Sequence, residues 1–428
     1  MTAASPAQSR SGLLKWMRWP GGGKRRPPFA GLSEASVIAS RMPLGRQQLG
    51  RQRTSTLLAL AGVTASLVVI FAQLGIERAV YDSSVRIHRA VVSPLVLVPP
   101  GFKSMQLHAE VQTSASDIVS AHPEVAVATP LTFGIMSLTH AGMAASRRIA
   151  WYAIDVERPA IAVPGLADSL HKLRVPRTLL FDALSRPVYG DLLQRMSTAD
   201  EVLLLGPPDA RMLLREMFAV GAMRIGPNVL NDGNVLMSDH SMVELFGSWY
   251  ADRPALVGLG VRPGVDLGRL ADELNKALAG RGEVITRAEL ERRERAYWSR
   301  ETPVGYITDM GFILGLMIGM VFIYYAQYQI IRTYLPEYAI LKSLGYGWWF
   351  FFCMVGQIGA AIITPAFLVA LALGRGVYAA AESAMHLGLS MGLREMGVAL
   401  TAALIMTAVS SAFAIRRLWR VDPIMLFE

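Results

Sequence analysis

With 428 residues, 52% of them hydrophobic and 18% charged, and a mean hydropathy of +0.35, the chain is too apolar for an average soluble enzyme and too charged to lie wholly within a membrane. Its formal charge of +9 sits almost entirely ahead of the first apolar run, where basic residues from Arg10 to Arg53 face a single acid, Glu34. That placement reports membrane topology and contact with anionic lipid, not nucleic acid, and the lone Cys353 excludes a disulfide framework.

In chain order, residues 1–32 read as a flexible basic segment containing PGGGKRRPPF. Residues 33–53 mix apolar positions with arginine and glutamine, as an amphipathic helix on the inner membrane surface would, bent at Pro43; a disordered lead-in is the plainer alternative. So long a polar lead argues against a cleavable signal peptide. Windows without any charged side chain then run over Thr54–Ile76, Met310–Ile331, Ser343–Gly374 and Met396–Ile415. Each exceeds or approaches the roughly 20 helical residues that span a hydrocarbon core of about 30 Å. The predicted spans are 54–76, 310–331, 347–373 with a kink at Pro365, and 396–415, joined at the end by a short outer loop over 374–395. The basic lead and Arg416, Arg417 and Arg420 place both termini in the cytosol by the positive-inside rule. The predicted fold is therefore an α-helical membrane protein with four transmembrane helices and a large α+β extracytoplasmic domain, residues 77–309, inserted between helices 1 and 2.

Within that domain SPLVLVPP reads as a strand, a helix starts near Ser114–Ser116, and EVAVATPLTFGIMSL is a second strand. The order recurs in ALVGLGVRP, in a helix carrying Leu267, Leu270, Leu274 and Leu278 on one face and closed by Gly280, and in EVITRAEL. Pairing of these units predicts halves over about 77–150 and 251–300 with an insert over 151–250. The charged run Arg287–Arg300 is either a stalk extending the second span or a solvated surface helix.

Catalytic signatures are sparse. GGGKRR lacks the hydroxyl residue and preceding strand of a phosphate-binding loop, and none of the seven histidines is spaced as a metal pair. Gly311, Gly315 and Gly319 form a doubled GxxxG in the second span, which fits either packing within the chain or a homodimer seam. Between the second and third spans, residues 332–346 hold PEYAILKSLGY. Pro336 and Glu337 suit a helix start, Lys342 its end and Gly345 its left-handed cap, while Tyr338, Ile340, Leu341 and Leu344 supply an apolar side. A tight interfacial turn is the plainer reading of those features.

LPEYAILKSLGY, the tail RRLWRVDPIMLFE and the run RQRTSTLLALAGVTASLVVIFAQLGIERAVYDSS resemble the permease subunits of the FtsX/MacB group of ABC systems, and within it the DevC-like exporter permeases. The resemblance covers most of the chain in layout; residues 151–250 match nothing named. It implies a non-catalytic permease in a bacterial inner membrane, binding no cofactor itself and using ATP and Mg through two copies of a partner ABC ATPase. It further implies a coupling helix in which Glu337, Lys342 and Gly345 match the family pattern and Tyr338, Ile340, Leu341 and Leu344 supply the docking face. A second permease copy, a periplasmic adaptor and an outer-membrane channel are the other implied partners, with a lipid or similar amphiphile exported by mechanotransmission. A lipoprotein-releasing permease and an FtsX-like regulator of cell-wall hydrolases are the rivals within the same group; an anchored enzyme with its site in 151–250 is the remoter one.

Overall fold

A computed structural model describes residues 53–419 except 142, 144, 199–200, 207–213 and 251. The predicted basic segment 1–32, nearly all of the interfacial helix 33–53 and the tail from 420 lie outside the described residues.

The chain enters on α1 (Arg53–Ser84), turns through α2 (Arg86–Ala90), and builds a mixed sheet before returning to three more apolar helices. The strands are β1 (Leu95–Val98), β2 (Val125–Thr139), β3 (Arg147–Ile154), β4 (Thr178–Asp182), β5 (Glu201–Gly206), β6 (Arg215–Met223), β7 (Asn234–Ser238), β8 (Leu256–Val261) and β9 (Glu283–Thr286). The main helices among them are α3 (Thr113–Ser120), α4 (Asp239–Phe246), α5 (Leu267–Leu278) and α6 (Arg287–Arg300).

Two strand–helix–strand units, β1–α3–β2 and β8–α5–β9, interleave in the antiparallel order β2-β8-β1-β9. Leu270, Leu274 and Leu278 of α5 are fully buried against Leu95, Leu97 and Leu259, as the apolar face of an amphipathic helix requires. α5 ends one residue earlier than the glycine cap predicts: Ala279 already takes φ +47°, and Gly280 follows at φ +84°.

The predicted insert boundary at 151 is corrected, because it cuts β3 in mid-strand. β2 is 15 residues long; its first part pairs with β8, and from Leu131 onward it pairs with β3. β3 continues through β7, β4 and β6 to β5, which returns to β2 at Ser137. Those six strands form a closed ring of pairings around Met136, Trp151, Phe181, Leu203, Leu205 and Met237. The middle of the domain is thus continuous with its halves through one shared strand.

α6 is neither a stalk nor a fully solvated helix. Thr286 caps it, its hydroxyl accepting from the Glu289 N–H at 3.2 Å in a capping-box pattern, and Leu290, Glu294 and Trp298 point inward. Glu294, 1% exposed, accepts hydrogen bonds from Ser104 Oγ at 2.8 Å, the Met105 N–H at 3.1 Å and Trp298 Nε1 at 3.0 Å, and His88 Nε2 of α2 lies 3.3 Å from it. This carboxylate joins α2, the loop after β1 and α6 where the sheet domain meets α1.

α7 (Pro303–Thr333), α8 (Leu335–Ser343), α9 (Trp348–Met385) and α10 (Leu393–Trp419) complete the chain. The helices α1, α7, α9 and α10 are long and apolar enough to cross a membrane. Their ends differ from the predicted spans. α1 runs on to Ser84, past Glu77 and Arg78, and α9 runs through Pro365 to Met385, so the outer loop shrinks from 374–395 to residues 386–392. The charge at Arg375 ends the apolar window, but Ala379, Ala380 and Ala381 are strong helix formers and carry the helix on. The short loop is bound from two sides: Arg86 donates to the Leu387 carbonyl at 2.6 Å and to Pro227 of the sheet domain at 3.1 Å, and Arg78 pairs with Glu395 at 3.0 Å.

The glycine stripe of α7 faces α1. A side chain added at Gly315 would lie 3.3 Å from the Ser66 carbonyl and 2.9 Å from Ile70, one at Gly319 would lie 2.6 Å from Ser66 Oγ and would meet Met406, and one at Gly311 would meet Gln73. The homodimer-seam reading of these glycines is therefore corrected: they bring α7 against α1 within the chain. Deeper in the bundle Gln327 of α7 is fully buried, donating to Ser411 of α10 at 2.8 Å and to the Val355 carbonyl of α9 at 3.3 Å. An uncharged amide thus ties the helices together inside a window that carries no charged side chain.

Candidate functional site, the short helix between α7 and α9

α7 stops at Tyr334, whose N–H still reaches the Ile330 carbonyl at 3.0 Å, and α8 begins at the next residue. Pro336 in the first turn needs no intrahelical donor, and Glu337 lies at the positive end of the helix with Lys342 near the negative one. The far end closes as a Schellman motif: the Gly345 N–H reaches the Lys342 carbonyl at 3.1 Å and the Tyr346 N–H reaches the Leu341 carbonyl at 3.3 Å. Gly345 sits at φ +92° with open space around its missing side chain, so only the backbone conformation demands glycine. Gly345→Ala is expected to cost about 1–2 kcal/mol at the cap, seen as faster amide exchange at Leu344–Tyr346 with the four long helices unchanged.

The seven residues predicted for this site separate by orientation. Tyr338 is 2% exposed and packs edge-on against Phe351 at 6.2 Å, and Leu341 leans on the bundle core. Ile340 and Leu344 are 52% and 70% exposed, and with Glu337 they line one face at helical spacing. The expectation that Tyr338 to Leu344 together form a docking face is thus corrected: the inward pair seats the helix, and Glu337, Ile340 and Leu344 face away from the bundle. Lys342 is half-buried, and Gly345 shapes the cap. The chemical reason is geometric, since a two-turn helix seated on one side cannot present all of its apolar residues on the other.

Aromatic residues flank this helix. Trp348 and Trp349, both partly exposed, stack on Phe352 at 5.2 and 5.3 Å, and Tyr346 packs on Phe350 at 4.5 Å. Tryptophan and tyrosine concentrate at membrane–water boundaries, which puts α8 at such a boundary. Among the described residues no group of three or more His, Cys, Asp or Glu side chains could hold a metal ion. What α8 offers is a rigid, membrane-anchored surface with an acid beside two exposed aliphatics.

Residues 310–423, which hold most of α7 and all of α8, α9 and α10, match the family model for the FtsX-like permease C-terminal. The chain carries an FtsX-like permease region. With four helices long and apolar enough to span, it is a multi-pass membrane protein. In the FtsX-like region α8 is the connection between the first two long helices. The periplasmic region of MacB from Actinobacillus actinomycetemcomitans is similar at 9% identity and a TM-score of 0.33, covering 48% of this chain and 94% of that one. The extracellular domain of the noncanonic ABC-type transporter YknZ from Gram-positive bacteria is similar at 10% identity and a TM-score of 0.32, covering 45% of this chain and 100% of that one. No curated protein matches the chain.

Two features of the molecule left no mark that sequence reading picked up. His88 and Glu294 lie far apart in the chain and meet only in the fold, and Gln327 is one of two glutamines inside an apolar window. A glutamine at a position that helical spacing turns inward was the available signal for the second.

Proposed function

We propose that the chain is the permease subunit of an ABC-type export system in a bacterial inner membrane, with α8 on the cytosolic face docking a separate ATPase. The observation that carries this reading is the exposed stripe Glu337, Ile340 and Leu344 on a short helix held at both ends by long apolar helices, within an FtsX-like region. A helix seated by Tyr338 and fixed to α7 and α9 moves those helices whenever a bound partner moves it, so force enters without chemistry in this chain. ATP and Mg belong to the partner, present in two copies. A second permease copy completes the pair through a surface other than the glycine stripe, and an adaptor and outer-membrane channel carry a lipid or similar amphiphile onward.

The test is co-purification of the permease with its cognate ATPase. Ile340→Asp with Leu344→Asp is expected to reduce recovery of the ATPase at least tenfold, and Glu337→Arg to weaken it less, because exposed charges contribute modestly. Both side chains being exposed, the variants should insert and fold as the wild type does. Undiminished recovery with the double aspartate variant refutes the docking assignment.

A further inference from the structure

β2 changes partner part-way along. β8 pairs with it as far as Leu131 and β5 from Ser137, so on that edge residues 132–136 face no strand, their ladder to β3 lying on the other edge. A cleft of about 360 Å³ opens against this stretch, at the junction between the interleaved half-domain and the closed ring. That volume falls within the range of about 300–1,000 Å³ usual for small-ligand sites, which favour such junctions.

Aromatic rings form its walls. Trp151 lies across the β2 backbone at Gly134, where a side chain would come within 2.5 Å of the indole. The indole stacks on Phe246 at 4.8 Å and meets Tyr250 edge-on at 5.7 Å. On the other side His108 stacks on Phe133 at 5.5 Å. The charged residues lining the cleft are Arg148, Arg253 and Glu110. Glu110 lies 3.4 Å from Arg253, whereas among the described residues no carboxylate lies within ion-pair distance of the exposed Arg148 guanidinium.

We propose that this cleft binds a small anion built on a flat apolar ring. The ring stacks between the aromatic walls, where offset or edge contacts add to the burial of its surface. Its carboxylate, sulfonate or phosphate meets Arg148, whose planar donors suit such groups. A cationic ring would set its charge against Arg148, and a neutral one would leave that guanidinium without a counter-charge.

The full chain in lipid nanodiscs, without ATPase or nucleotide, is titrated with 1-naphthalenesulfonate, 1-naphthalenemethanol and 1-naphthylmethylammonium, with empty nanodiscs as the blank. The sulfonate is expected to bind at least tenfold tighter than the ammonium. Arg148→Gln, at an exposed position, should abolish that preference while Arg148→Lys keeps part of it, and Phe246→Ala should weaken all three probes. Equal binding of the three by the wild type, no binding above the blank, or a preference unchanged in Arg148→Gln overturns the proposal. Because no ATPase is present, these outcomes are independent of the docking test on α8.

Discussion

Replacing Glu294 by alanine is expected to lower the stability of the chain by about 3 kcal/mol or more, since each buried donor left unsatisfied costs about 1–3 kcal/mol. The carboxylate is 1% exposed, and its loss would leave Ser104 Oγ, the Met105 N–H, Trp298 Nε1 and His88 facing an empty site. The same cluster sets a pH dependence. Burial alone would raise the Glu294 pKa, but His88 and the Ser104 and Met105 donors outweigh it and hold the group below the usual carboxylate range. A depressed folded pKa means the stabilisation is present above the unfolded value of about 4.3 and is lost as pH falls through the folded one. Thermal unfolding of the full chain in nanodiscs should therefore drop steeply in acid for the wild type, and less so for Glu294→Gln, which carries no charge to lose. An alanine variant that melts with the wild type would show that the cluster does not hold the domain to its root.

Gly315→Leu is expected to disrupt the bundle, because the new side chain meets the Ser66 carbonyl and Ile70 of α1. A backbone carbonyl within a helix cannot step aside, so α7 must shift away from α1. Overpacking typically costs about 1–3 kcal/mol and occasionally more, and Gly319 one turn on repeats the contact with Ser66. The double variant Gly315→Leu with Gly319→Leu should fail to accumulate in membranes, while leucine at Leu314 and its exposed neighbours Ile313 and Met317, already large and 47–52% exposed, shows that the opposite face tolerates bulk. Normal accumulation and a wild-type melting profile would contradict the tight α1–α7 seam.

The spans and outer strands were legible because their signals are local. An uncharged window long enough to cross a membrane reads directly, and so does Leu270, Leu274 and Leu278 recurring on one face of α5. Window edges failed where a charge was taken as a helix end: the half-buried Glu77 and the exposed Arg375 both lie on helices that simply continue. The 151 boundary failed because strand pairing is non-local, and nothing near Trp151 shows that β3 partners the same strand as β8 does. The position of α8 followed from Pro336 and Gly345, which act on their own backbone. Which of its apolar residues turn inward did not, since Tyr338 is held by Phe351 across the next connection.

The shared strand β2 has a mechanical consequence. One continuous extended segment belongs to both parts of the outer sheet, so neither can rotate against the other without breaking its ladder to β8 or to β3. The domain should behave as a single stiff arm. Any swing delivered from the long helices must then be taken up at its base, where α1 passes into α2 and α6 into α7 around Glu301 and Thr302. Those few residues would act as the pivot, and a proline introduced there would be felt at the far tip of the sheet.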